Sequence, residues 1–525
     1  MSNLGFQTLY RILNETGGVG VERFFLPERT DIAEYERTGT PLFSLETETP
    51  LYEFDLIAFS ISFEEDYLNI PKILALGRVP LFSKERTGGA PLAIAGGAAV
   101  SLNPEPVADF FDLFVIGEGE GVIEGLLEII SGAEEGVKPD LLKKLARTSG
   151  VYVPSLYAFT YDGALVASIT VSEGAPHIVR AGKNLDVENI EMPETVIVTP
   201  ETEFRETVLV EVQKGCGRGC RFCAAGFLYL PPRWRSGKSV KEALRRAADS
   251  GIKKVGLVGA AVSEHPDLKD IIRAGIDLEM EVTLSSLRAD CIDEELLELL
   301  KKAGYKTITI APEAGSERMR GVINKGITEG EIIEAARMIN EAGFTRLKLY
   351  FMIGLPTETD GDAAEIAALT LRIREQFSKN IQLSINPFIP KAFTPSQWHG
   401  FEKVEVLERR FSLIKKALMG LKGLEIKTFP AKEAFTQALL ARGDRRLVNL
   451  IVEAEKTGVR RALKNLKNAE EMVYRTRDKK EIMPWDNLDH GLAKPYLWSE
   501  YQRGLESKET PPCDVGRCTR CGVCH

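Results

Sequence analysis

The chain has 525 residues, 44% hydrophobic and 27% charged, enough for three or more soluble domains. A formal charge of −9 argues against broad electrostatic attraction to nucleic acid or anionic membrane, though not against a local basic site. No apolar run approaches a membrane span, and the opening Met1-Ser-Asn-Leu-Gly-Phe6 lacks a basic region followed by an apolar one, so no transmembrane segment and a cytoplasmic location are expected.

Residues 1–150 alternate strand-like and helix-like segments. Leu56–Ser62 and Pro91–Ala95 read as buried strands, the second ending at Gly96-Gly97. Phe111–Ile116 is a third, leading through Gly117-Glu-Gly-Glu120 into an apolar helix over Gly121–Ile130. Short apolar strands separated by helices point to an α/β domain with an open parallel, Rossmann-like sheet. The strand-end glycines either admit a ligand or serve turns and helix–strand packing. Residues 151–205, including Tyr152, Tyr157 and Pro193–Pro200, read as a strand-rich connector.

At the end of the strand-like run Thr207–Gln213 stands Cys216-Gly-Arg-Gly-Cys220-Arg-Phe-Cys223. Three thiols at this spacing suit three irons of a cubic 4Fe–4S cluster, with the fourth iron open to a cofactor. Three cysteines cannot complete a closed zinc site, and none of the five histidines lies nearby in sequence.

Downstream, helices over Ser239–Asp249, Ser263–Ala274, Glu294–Ala303, Thr328–Ala342 and Ala363–Phe377 alternate with strands. The strands are Val255–Gly259, Met280–Ser285, Lys306–Ala311, Arg346–Met352 and Ile381–Asn386. Repeated βα units point to a partial TIM-like barrel over 206–400, with binding groups at the carboxyl ends of its strands.

The cysteine spacing, with Phe222 before the last cysteine, resembles the radical S-adenosylmethionine (radical SAM) superfamily. The resemblance implies a (β/α)6 barrel and SAM held on the open iron. It also implies reductive cleavage of SAM to a 5′-deoxyadenosyl radical that takes hydrogen from a substrate. A reducing partner such as flavodoxin or ferredoxin follows from that chemistry. Carried onto this chain, the SAM region takes Ser263, Ser285, Ser286, Arg288, Glu313 and Gly354 beside Phe222. Arg288 either holds a carboxylate or pairs with a barrel acid. Glu313 either faces SAM or pairs with Arg288 or Arg318, and Gly315-Ser316 forms a turn or anion nest. The loop Gly354-Leu-Pro-Thr-Glu-Thr359 packs near adenine or is purely structural, with Thr357 or Thr359 as a helix cap. Gly259-Ala-Ala-Val-Ser263-Glu264 departs from the family's glycine-rich strand end. Gln397 and Trp398, like Tyr229, Arg233 and Trp234, either line a substrate opening or seal the barrel.

The front segment resembles the cobalamin-binding domain that precedes many radical SAM barrels. Its usual D-x-H-x-x-G motif is missing, since no histidine occurs before His177. The expectation is a degenerate domain, with cobalamin bound without a histidine ligand as the alternative.

After the barrel, Glu405–Lys422 and Leu447–Asn465 read as a helical extension over 401–480. Its basic groups, Arg442–Arg446, Arg460 to Lys467 and Arg475–Lys480, form either a solvated face or an RNA surface. The tail 481–525 carries Cys513, Cys518, Cys521 and Cys524, which suit a second 4Fe–4S cluster or a tetrahedral zinc. His490 reads as a hydrogen-bonded residue. The expected function is a radical SAM enzyme of unidentified substrate. Alternatives are an RNA-modifying methyltransferase or methylthiotransferase, and a non-catalytic iron–sulfur electron-transfer or scaffold protein.

Overall fold

The computed structural model describes residues 2–87, 89–132 and 138–524. They divide into two compact units. One contains Leu9–Asn184 and Thr436–Gly491; the other contains residues up to Thr8, Leu185–Phe435, and the chain from Leu492 onward.

In the first unit, β1 (Leu56–Ser60), β2 (Leu92–Gly96) and β3 (Leu113–Val115) run parallel in chain order, and β4 (Val151–Tyr152) closes the sheet antiparallel to β3. The central β2 is apolar along its length and buried at Leu92–Ala95, as a strand covered on both faces must be. β5 (Tyr157–Asp162) and β6 (Leu165–Val171) make a hairpin, and β7 (Val179–Arg180) pairs with a short strand at Leu488–Asp489. The strand-end glycines are taken up by backbone packing. A Cβ on Gly97 would lie 2.4 Å from the Ile61 carbonyl oxygen, and one on Gly117 would lie 2.4 Å from that of Gly182.

The helices Ala431–Arg442, Leu447–Thr457 and Val459–Asn465 follow the barrel in sequence. The sequence reading had joined the last two, but Gly458, at φ 83°, separates them.

In the second unit, β8 (Thr207–Glu211) is followed by a clip of β9 (Gln213–Lys214) and β10 (Arg233–Trp234). The parallel strands then continue with β11 (Lys254–Val258), β12 (Glu281–Leu284), β13 (Thr307–Glu313), β14 (Arg346–Ile353) and β15 (Asn380–Pro387). β8, β11 and β12 form one arc, β13 to β15 another, and a lone parallel bridge between Leu287 and Ile310 joins them. All six expected barrel strands are present. A seventh, β16 (Leu424–Thr428), pairs parallel to β15 inside the stretch read as helical. It is a five-residue edge strand whose Leu424 and Ile426 alternate with Glu425 and Lys427, too short a period to stand out between two helices.

Alternate residues of β14 (Leu347, Leu349, Phe351 and Ile353) are buried, leaving Lys348, Tyr350 and Met352 half-buried on the opposite face. Helix starts carry their own caps. Thr328 with Glu331, and Thr359 with Asp362, form reciprocal capping boxes, so Thr359 rather than Thr357 is the cap.

Candidate active site

The three cysteines of the first motif lie in the loop that leaves β9, and Cys223 caps the short helix Ala224–Leu228. Phe222 turns inward against a buried apolar cluster that includes Met319, Ile323, Leu355 and Phe388. This anchors the loop while its thiols stay half-buried. Burial pushes the Cys216 thiol up to about 11 and that of Cys223 up to about 12, and Cys220 moves the same way. Lys325 and Arg288 act against burial at Cys220, while Cys220 raises the proton affinity of Cys216 and Cys223, and Cys216 that of Cys223.

Two arginines and two carboxylates form one wall beside the loop. Arg218 pairs with Glu264 at 2.7 Å and with Asp290 at 3.6 Å. Arg288 grips both Asp290 oxygens at 2.9 and 3.0 Å and lies 3.5 Å from Glu264. Its backbone N–H donates to the Ser263 hydroxyl at 3.4 Å. Lys325, whose carbonyl accepts from Arg288 at 3.3 Å, pairs with Glu313 at 3.2 Å and lies 6.0 Å from the centre of the Phe222 ring. Burial raises the Glu313 carboxyl, with Lys325 opposing the shift.

The expected SAM residues are distributed unevenly around this wall. Ser285 and Ser286 are exposed at the end of β12. Ser263, Arg288 and Glu313 stand in this network, Arg288 paired with Asp290 and Glu313 with Lys325. Gly354 donates its N–H to Glu358 at 2.6 Å, and Glu358 is locked by Arg410 at 2.7 Å. Gly315 lies against backbone, where a Cβ would be 2.2 Å from the Ile366 nitrogen, and Ser316 caps the helix Glu317–Val322. Gln397 and Trp398 are buried, and Trp398 meets Trp498 edge-on at 5.1 Å. Arg233 is also buried, donating to the Tyr229 and Pro231 carbonyls.

Three important residues were missed at the sequence level. Lys325 is one. Asn324, at φ 52°, reaches the carbonyls of Arg218 and Gly219 at 3.3 and 3.2 Å. Arg221 is 3% exposed and binds the Gly321, Val322 and Lys508 carbonyls together with Glu500. Their partners lie up to 289 positions away, so no local spacing announces them.

The tail reaches the same loop. Cys513 donates its N–H to the Gly217 carbonyl at 2.7 Å. Cys216, Cys513, Cys518 and Cys521 line one pocket, with Tyr496 and Arg520 at its edge. Burial and the neighbouring tail thiols push Cys513 up to about 11, whereas a hydrogen bond from Arg520 lowers Cys518. Among the described residues, no three His, Cys, Asp or Glu side chains are gathered closely enough to hold an ion. The soft thiolate donors of both sets suit iron.

The basic segments divide between the interior and the surface. Arg442 and Arg477 are buried, Arg446 pairs with Asp444, and Arg475 with Glu481. Those charges serve internal pairing; Arg460, Arg461 and Lys464 remain exposed. Among the described residues no helix is long and apolar enough to cross a membrane.

The family model for radical SAM proteins, N-terminal, matches residues 5–154, and that of the radical SAM superfamily matches 210–370. An uncharacterised protein of Methanocaldococcus jannaschii is 32% identical over 79% of this chain and 84% of its own length. A tRNA-2-methylthio-N(6)-dimethylallyladenosine synthase of Chloroherpeton thalassium is 22% identical, over 37% of this chain and 46% of that protein. Among solved structures, the radical SAM methyltransferase TsrM from Kitasatospora setae is 15% identical. It has a TM-score of 0.48, covering 73% of this chain and 70% of that one. The two family models, together covering more than half of the chain, and the 32%-identical archaeal relative make the chain a radical SAM enzyme and a member of that superfamily.

Proposed function

We propose that Cys216, Cys220 and Cys223 hold a 4Fe–4S cluster and that the protein uses it on SAM to begin hydrogen abstraction from an unidentified substrate. When bound, the cluster would supply one electron for reductive cleavage of SAM to a 5′-deoxyadenosyl radical. The observation that carries this reading is a three-cysteine loop anchored by Phe222 and flanked by Arg288 and Lys325, whose charges offset the thiolates. On this reading Ser263, Ser285, Ser286, Glu313 and the Gly354 turn surround SAM, while Arg288 orients the charged wall through Asp290. The four tail cysteines hold a second 4Fe–4S cluster. A low-potential flavodoxin- or ferredoxin-like donor supplies electrons in a reducing cytoplasm. The front unit is a degenerate cobalamin-binding-like domain, a reading supported by the backbone that fills the space beside Gly97 and Gly117.

Anaerobically reconstituted protein, given SAM and dithionite, should form 5′-deoxyadenosine. Cys220→Ala should lower its yield at least about 100-fold, since loss of a ligand removes the group that carries the chemistry. Equal yields from both proteins would reject the assignment.

A further inference from the structure

We infer that the tail is a closed four-thiolate metal site built onto the backbone of the first one, so that loading of either site strengthens the other. The inference rests on both cysteine sets binding metal. Three observations carry it.

The N–H of Cys513 donates to the Gly217 carbonyl, inside the arc between Cys216 and Cys220. Asn324 joins the same arc to the tail. Its amide nitrogen reaches the Arg218, Gly219 and Thr510 carbonyls, and its oxygen accepts the Thr510 N–H at 2.8 Å. Finally, Arg221, between Cys220 and Cys223, binds the Lys508 carbonyl at 2.7 Å and the Thr510 hydroxyl at 3.2 Å. Each segment of the first loop is thus tied to residues 508–513.

Within the tail, Arg520 donates to the Pro511 and Pro512 carbonyls at 2.8 and 3.0 Å, and the Cys521 carbonyl accepts the Ala493 N–H at 2.9 Å. Pro511, Pro512 and 514–517 are exposed, and four thiolates on one metal would add the bonds that close the turn. As each sulfur–metal bond forms, its thiol releases a proton, and the ligand positions become fixed. Fixing Cys513 fixes the Gly217 carbonyl, and with it the spacing of Cys216 and Cys220. By linkage, a well-placed first cluster presents the same carbonyl to Cys513 and favours loading of the tail.

The test uses the full chain, reconstituted anaerobically with iron and sulfide. Iron and zinc per chain are counted, and loss of the first cluster to a ferrous chelator is followed through the EPR signal that shifts on adding SAM. A Cys518→Ser/Cys521→Ser double variant should retain about four irons and lose them about 10-fold faster than wild type, the scale of an outer-shell ligand partner. Asn324→Ala keeps the seven cysteines of the two motifs, should load fully, and should lose the first cluster at a similarly raised rate. A first cluster equally persistent in wild type and both variants would overturn the inference. One zinc in the wild-type tail, with the same coupling, would remove the second iron–sulfur cluster from the proposed function and leave the inference standing.

Discussion

His490 is 2% exposed, with Nε2 at 2.8 Å from the Ser101 carbonyl oxygen. A carbonyl only accepts, so Nε2 carries the proton. Burial depresses the ring's proton affinity to about 4, and the nearby Lys183 acts in the same direction. The sign of the pH effect follows. Between about 4 and the ordinary histidine value of about 6.5, the unfolded chain binds a proton that the folded ring refuses. His490 therefore stabilises the fold near neutrality and loses that contribution, on the order of 3 kcal/mol, as pH falls through this window. Denaturation midpoints measured from pH 7 to pH 4 should fall less steeply in His490→Gln than in wild type. Parallel curves would show that other groups dominate the acid limb.

At the scale of elements, the turn after β14 is held by the helix Val404–Ala417. Arg410, 4% exposed, donates to the Glu358 carboxylate at 2.7 Å and to its carbonyl at 2.7 Å, while Glu358 accepts the Gly354 N–H. Burial raises the Glu358 carboxyl to about 7, with Arg410 and the Gly354 N–H opposing the shift. Removing the cation alone leaves a carboxylate in an apolar setting. Arg410→Ala should cost about 3–5 kcal/mol at pH 8, and adding Glu358→Gln should recover part of the loss because no buried charge remains. Urea midpoints of the two variants decide it; a double variant weaker than the single one would mean the amide cannot replace the turn's acceptor. This pairing also marks how far the sequence could be read. The βα period exposed six barrel strands, and the cysteine spacing exposed the loop, because both signals are local. Nothing local distinguishes Glu358, which sits in the turn, from the cap residue Thr359 beside it. The Arg288 ion pair and the bonds of Arg442 to the Met472 and Arg475 carbonyls are likewise made by folding, so their charges read equally well as ligand contacts or a solvated face.

Across the whole chain, the front sheet is completed by residues that arrive hundreds of positions later. Glu105, fully buried, pairs with Arg445 at 3.0 Å and accepts the Tyr152 hydroxyl at 2.5 Å. Asn103 donates to the Ala441 and Gly443 carbonyls at 3.2 and 2.8 Å, and Ser101 receives His490. Three consecutive odd-numbered positions after β2 thus depend on the returning segment. Without it, Glu105 would be left as an uncompensated buried charge, and the apolar faces covered by Leu447, Leu450 and Ile451 would open to water. A fragment of residues 9–184 should therefore melt without a cooperative transition and bind a hydrophobic dye. Joining 436–491 to it through a flexible linker should restore one sharp transition, and Arg445→Ala in the joined form should weaken that transition by about 3–5 kcal/mol. If 9–184 melts as sharply alone as when joined, its sheet is self-sufficient and the returning segment only decorates it. The linker has only to join residue 184 to residue 436, which a Gly/Ser chain does at little entropic cost per added residue. Failure of the joined form would then point to the missing packing rather than to the connection.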